Sequence, residues 1–255
     1  MRIYAVTNQK GGSGKTTTAV NLAAALGELG RRVLVVDLDP QGSASKWLGV
    51  KDDGARLLDV LTAGAPLADL VCASSAPDVD VVPSGPQMAY AEKRMAGEVG
   101  AEVILRGALD GLDVDRWHAV LLDCPPVLGV VTINALAAAA GVLAPVEAHM
   151  MAVDGLAALL ATVERVRTRI NPGLTIAGIL PVRVDGRARH SADVVVRLRE
   201  KFGDLVFKSV VRESVRVAEA WGFAQPVTIY DPKGRGAEDY RAVAVELLKR
   251  EEGRA

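Results

Sequence analysis

Apolar-rich runs punctuate this sequence at intervals. Residues 3–6, 33–36, 79–82, 119–123, 141–146, 174–180 and 205–211 are dominated by aliphatic side chains and end at polar, glycine or proline positions. Short, nearly unbroken runs of this kind read as strands covered on both faces, because neither face has to meet water. Stretches of helical period lie between them. Residues 15–29 put Val20, Leu22, Ala23, Leu26 and Leu29 on one broad face, and Gly30 follows where a helix cap belongs. Residues 89–109 read as one helix with Met95, Val99, Val103 and Leu105 inward and Glu92, Lys93 and Arg94 as a solvated face. Further helices are expected over residues 156–170, around Arg197, Arg199 and Lys201, and over residues 238–250, where Tyr240, Val243, Ala244, Leu247 and Leu248 form the core face. Residues 57–61 and 67–71 predict two short helices. This alternation predicts an α/β fold, a mostly parallel twisted sheet flanked by helices on both faces. With no repeat, low-complexity tract or linker, a single domain over residues 1–255 is expected.

Composition adds to this picture. Half the residues are apolar and only 4% aromatic, so the core is aliphatic. The net charge of −1 hides an asymmetry. Residues 1–163 carry 12 Lys/Arg against 18 Asp/Glu, and residues 164–255 carry 18 against 13. The basic later part suggests a face that meets an anionic partner. Cys72 and Cys124 are the only cysteines, too few for a disulfide framework or a four-thiolate metal site, and both read as small buried apolar groups. The most apolar stretch, residues 135–146, is interrupted by Gly141 and Pro145 and is shorter than a membrane span. The N-terminus lacks the pattern of a secretion signal, and the cytoplasm is the expected compartment.

Candidate chemistry clusters at the ends of three runs. After residues 3–6 comes Lys10-Gly11-Gly12-Ser13-Gly14-Lys15-Thr16-Thr17 and then the first helical stretch, in the order strand, glycine loop, helix that defines a P-loop. The three glycines let backbone N–H groups approach phosphate oxygens, and the helix N-terminus adds partial positive charge. Lys15 suits the β- and γ-phosphates of ATP, and the Thr16 hydroxyl suits Mg²⁺. Lys10 stands at the loop entrance, where it makes sense as a charge offered to a nucleotide on a facing subunit. Residues 33–36 run into Asp37-Leu38-Asp39-Pro40-Gln41. The residues leave two readings: one aspartate in the metal's water shell with the other facing the γ-phosphate, or both capping the next turn. Residues 119–123 end in Asp123, a Walker B pattern in which the acid holds Mg²⁺ through water.

The spelling Lys10-Gly11-Gly12-Ser13-Gly14-Lys15-Thr16 resembles the deviant Walker A of the ParA/MinD group of ATPases. Asp123-Cys124-Pro125-Pro126 with Thr132-Ile133-Asn134-Ala135-Leu136, residues 212–220 and Tyr230-Asp231-Pro232 extend the likeness to ParA/Soj-type partition ATPases over nearly the whole chain. The resemblance implies that Asp39 orients the attacking water and that Asp37 belongs to the metal shell. It implies a homodimer sandwiching two ATP–Mg²⁺, with each Lys10 reaching the partner's nucleotide. It implies further that Arg187 and Arg216, which match residues contacting DNA non-specifically in related proteins, do the same here, that a ParB-like protein stimulates slow hydrolysis, and that the protein is nucleoid-associated. Glu147 and His149 stand where the family usually has Gln and Glu, and Val211 and Glu213 where Pro and Asn are usual. A MinD-like membrane cycler needs an apolar amphipathic tail, whereas residues 249–255 are polar, so no membrane partner is expected. An iron–sulfur carrier needs paired cysteines, and a non-hydrolysing scaffold would not need Asp39. Positioning of another intracellular cargo would use the same motifs.

Overall fold

The computed structural model describes residues 1–149 and 152–253. In chain order its elements are β1 (Arg2–Val6), α1 (Lys15–Glu28), β2 (Val33–Asp37), α2 (Ser43–Trp47), α3 (Ala55–Ala63), β3 (Cys72–Ala73) and β4 (Val79–Val82). Then follow α4 (Ala91–Met95), α5 (Ile104–Asp110), β5 (Ala119–Asp123), α6 (Val130–Ala138), β6 (Gly141–Glu147), α7 (Ala152–Arg169) and β7 (Thr175–Val182). The chain continues through α8 (Arg189–Phe202), α9 (Val215–Gly222), α10 (Val227–Tyr230) and α11 (Arg235–Glu252). The strands form one sheet in the order β3-β4-β2-β5-β1-β6-β7. Every pair is parallel except β3 with β4. This is the α/β sheet that the apolar runs predict.

Strand alternation divides the core into two layers. Leu34, Val36, Val120, Leu122 and Val142 face one cluster, shared with Leu57, Leu105, Leu136 and Leu159. Val33, Val35, Leu121 and Leu143 face the other, shared with Leu22, Leu26, Tyr240, Val243 and Leu247. Helices therefore cover both faces, which explains why the strands are mostly aliphatic. Helix α1 ends as expected: Gly30 takes φ +69°, and the Arg31 N–H returns to the Leu26 carbonyl at 3.0 Å. Leu29, assigned to the buried face, is instead 43% exposed, because the helix stops one residue earlier.

Two expected elements are different in the structure. Residues 89–109 are not one helix. They form a 3₁₀ turn (Pro86–Tyr90), α4, a second 3₁₀ turn (Ala101–Val103) and α5. Gly97 and Gly100 break the run by taking φ of +85° and +76°, and Val99 between them is fully exposed rather than inward. Met95 and Leu105 are buried as expected, while Val103 is only half-buried. Residues 205–211 do not form a strand. A 3₁₀ turn (Gly203–Leu205) leads into two isolated parallel bridges, Ile179 to Val206 and Val184 to Arg212. In between, the Lys208 and Ser209 N–H groups donate to the Glu246 carboxylate at 2.8 and 2.7 Å, so they cannot enter a ladder. Cys124 is buried and Cys72 half-buried, and both are free thiols. Among the described residues no helix is long and apolar enough to cross a membrane.

Candidate active site

The C-terminal tips of β1, β2 and β5 lie side by side, where Val6 pairs with Asp123 and Asp37 with Asp123 across the parallel ladders. The glycine loop leaves β1 at this edge and enters α1 at Lys15. Gly12 and Gly14 take φ of +74° and +84°, conformations that favour glycine. A Cβ on Gly11 or Gly12 would meet nothing within 4 Å, so the cradle is open on that side. The loop entrance is fixed by Asn8, whose Oδ1 accepts the Lys10 N–H at 3.1 Å while its Nδ2 donates to the Pro145 carbonyl at 2.7 Å. The Lys15 ammonium is buried and donates to the Lys10 carbonyl at 3.2 Å. Burial lowers its pKa, and the negative charges of Asp123 and Asp39 work against that fall.

The three acids are held differently. Asp37 is fully buried; its Oδ2 accepts the Ser45 N–H and Oγ–H at 2.8 and 2.6 Å, and its Oδ1 accepts the Asp39 N–H at 3.1 Å. It therefore caps the start of α2, the turn-capping reading, and its Oδ1 takes only the Asp39 N–H among the described residues. Asp39 is locked from several sides: its Oδ1 accepts the Gln41 N–H at 2.9 Å and its carbonyl accepts the Ser84 hydroxyl at 2.9 Å. Its Oδ2 takes no hydrogen bond from the described residues. Asp123 is fully buried with neither carboxylate oxygen in a well-formed hydrogen bond, and the Thr16 hydroxyl beside it favours its charged form. Burial first, and the adjoining Asp37 charge second, push its pKa well above the carboxylate range. Two adjoining buried acids beside a single buried lysine form a site short of positive charge, and orphaned carboxylate oxygens next to Thr16 are the hard donors Mg²⁺ takes. The residues fit that ion.

A cleft of about 1220 Å³ opens over the loop. Residues 11–17 and Asp39 form one wall, and Arg183, Asp185, Arg187, Glu213 and Trp221 are among the lining opposite.

Comparison with known proteins gives the chain its family. A family model described as an AAA domain matches residues 1–176. The chain is 45% identical to the chromosome-partitioning ATPase Soj of Thermus thermophilus, over 98% of this chain and 96% of that protein. It is 40% identical to the sporulation initiation inhibitor protein Soj of Bacillus subtilis, over 96% and 98%. The chain belongs to the ParA/Soj family of ATPases. Among solved structures, a cobyrinic acid a,c-diamide synthase from Mycobacterium smegmatis with bound ATP analogue and magnesium matches with a TM-score of 0.83 and 34% identity, covering 100% of this chain and 97% of that one.

Within this ParA/Soj-family chain, Gly11 to Thr17, Asp39 and the Asp37–Asp123 pair converge on one edge. Arg187 and Arg216 lie farther out, on the loop after β7 and on α9. Their side chains are 91% and 60% exposed, each held only by a surface pair, to Asp185 at 3.2 Å and to Glu219 at 2.9 Å. Such pairs are weak and leave both arginines available. Arg212 is not available, because Asp239 clamps its guanidinium and its N–H together. Among the positions where the family pattern departs, Glu147 pairs with Lys10 at 3.6 Å, and His149 lies edge-on to His190 with ring centroids 6.0 Å apart. Met150 and Met151 of that segment lie outside the described residues.

Sequence reasoning missed two supports of the site. The Ser45 Oγ accepts the Ser84 N–H at 2.9 Å while donating to Asp37, and Ser84 then holds the Asp39 carbonyl. The two serines thus close a ring under both acids. Glu92, read as solvated, accepts the Val130 and Val131 N–H groups at 2.9 and 3.3 Å and caps α6, which follows the Asp123 turn.

Proposed function

We propose that this chain hydrolyses ATP to ADP and phosphate, slowly when alone, and that its ATP-bound form is a homodimer that binds DNA non-specifically. On this reading it positions plasmid or chromosomal DNA, and a ParB-like partner accelerates hydrolysis. The observation that carries the reading is the buried, hydrogen-bond-free Asp123 carboxylate beside a lysine-bearing glycine loop, in a chain whose relatives include a protein named a chromosome-partitioning ATPase. The N–H groups of residues 11–17 cradle the phosphates, and Lys15 neutralises the β- and γ-oxygens. Thr16 and Asp123 would hold Mg²⁺, with Asp37 behind them through water; the ion supplies charge neutralisation on the phosphate oxygens. Asp39, locked by Gln41 and Ser84, turns its unpartnered oxygen to the attacking water and accepts its hydrogen bond. Lys10 reaches the partner's nucleotide, so the triphosphate binds the two protomers together. Among the described residues no second catalytic group joins Asp39 on the loop's own wall of the cleft, which supports the reading of slow turnover.

The cross-subunit role predicts a separation of effects. Lys10→Ala keeps ATP affinity within about twofold, yet weakens ATP-dependent dimerisation at least about tenfold in sedimentation velocity, as loss of a charge-assisted contact requires. Loss of nucleotide binding together with dimerisation would sink the role. For DNA, Arg216→Glu leaves the ATP-dependent dimer intact and removes retention in a gel-shift assay. The milder Arg216→Ala lowers the log–log salt slope by about 2, one phosphate contact per protomer. Undiminished DNA binding by both variants moves the interface elsewhere. Capture of partners on the ATP-bound dimer distinguishes DNA segregation from positioning of another cargo.

A further inference from the structure

The Lys10 side chain does not lie over the cradle. It turns onto its own chain's Glu147, Nζ to Oε2 at 3.6 Å. The other oxygen of that carboxylate, Oε1, takes the Arg183 guanidinium at 3.2 Å, and Arg183 reaches on to Glu213 at 3.9 Å. The array is built rather than incidental. Arg183 takes φ +53°, a left-handed conformation that costs a non-glycine residue free energy and persists only where neighbours enforce it. Its neighbours are pinned: the Ala148 N–H donates to the Val182 carbonyl, the Val184 N–H to the Val211 carbonyl and the Glu213 N–H to the Val184 carbonyl, each at 3.1 Å. From the other side, Asn8 ties the loop entrance to Pro145, two residues before Glu147. Glu147 is itself only 25% exposed, against 44% for Lys10, so its charge is less screened than that of a free surface acid.

We propose that Glu147, oriented by Arg183, is an autoinhibitory latch that holds Lys10 within its own protomer and competes with the partner's phosphates for it. This rests on the proposed dimer, in which the same ammonium serves the facing nucleotide. One ammonium on a four-carbon stem satisfies one of the two acceptors at a time, so each unit of attraction to Glu147 raises the threshold for pairing. Partly exposed ion pairs of this kind shift equilibria by about two- to fivefold, a range in which dimerisation stays reversible.

The test is Glu147→Gln, which keeps the shape and removes the charge, checked for an unchanged thermal melt. The first readout is the rate at which an acetyl N-hydroxysuccinimide ester acylates Lys10 in protein without nucleotide, measured by peptide mass spectrometry. The variant is expected to react about two- to fivefold faster. The second readout is the protein concentration at half-dimerisation with ATP and Mg²⁺ by sedimentation velocity, expected to fall by a similar factor. Unchanged acylation overturns the latch. Faster acylation with unchanged or weaker dimerisation overturns its inhibitory role and makes Glu147 a contact of the assembled dimer. If sedimentation shows that the parent protein itself does not dimerise with ATP, the dimer reading fails and the inhibitory role with it, whereas the acylation arm still decides whether Glu147 holds Lys10.

Discussion

Lys15→Ala lowers ATP affinity by at least about 100-fold in titration calorimetry, on the order of 3 kcal/mol, because it removes the one buried cation facing the phosphates. The size of the effect follows from the surroundings. Lys15 is 7% exposed, and burial has already made its charge costly. Asp123 and Asp37 are fully buried beside it. Without the ammonium, the triphosphate meets two carboxylates with only the backbone N–H groups and the Mg²⁺ ion to offset them, and the loss exceeds that of a single hydrogen bond. Lys15→Arg does not restore binding, since a planar fork does not fit where a compact ammonium reaches the Lys10 carbonyl. Unchanged affinity in the alanine variant would remove the glycine loop from the nucleotide site.

Gly85→Ala carries the second large effect, a loss of about 3 kcal/mol in chemical denaturation together with loss of hydrolysis. Its backbone is fully extended, so conformation is no obstacle. Space is: an added Cβ would stand 2.3 Å from the Asp52 carbonyl oxygen and 2.5 Å from the Asp53 carbonyl carbon. Those atoms are backbone and cannot rotate away. The strain passes to the site through Ser84, the preceding residue, which holds the Asp39 carbonyl and the Ser45 hydroxyl. Nucleotide affinity falls less than turnover, because the cradle of residues 11–17 is not attached to this segment. Gly107→Ala is the control, since a Cβ there meets nothing within 4 Å and replaces glycine in a helix, and its stability should not fall. A stable, fully active Gly85→Ala protein would show that Ser84 does not position Asp39.

The parts of the site that the sequence makes legible are local. The strands stand out because both faces are covered, which leaves apolar runs with no polar alternation. Asp37, Asp39 and Asp123 stand out because each ends or follows such a run, and parallel pairing brings those ends together. What sequence does not display is made by contacts between distant residues. The Glu92 cap on α6 joins positions 38 apart, and the Glu246 clamp on Lys208 and Ser209 joins positions 38 and 37 apart. Each converts an apparently solvated charge into a fixed partner, and the second also prevents an eighth strand. The split of residues 89–109 is marked only by Gly97 and Gly100, and the helical period of the flanking residues masks it. The Lys10–Glu147 pair could not be read either, because only the fold brings the glycine loop against the end of β6.

The irregular course of residues 206–212 has a consequence for solubility. A seven-stranded sheet ends in two outer strands whose spare N–H and C=O groups can recruit another chain's backbone and propagate into aggregates. On one side the outer strand is β3, only two residues long and antiparallel, too short to template growth. On the other, the Phe207 and Val211 N–H groups donate to the Ile179 and Pro181 carbonyls of β7 at 2.8 and 2.9 Å, and a segment that is not itself a ladder uses up that strand's bonding capacity. Both rims are thereby closed to strand addition. In the proposed ATP-dependent dimerisation cycle the protein would associate and come apart through its loops and helices, without its sheet nucleating an irreversible fibre.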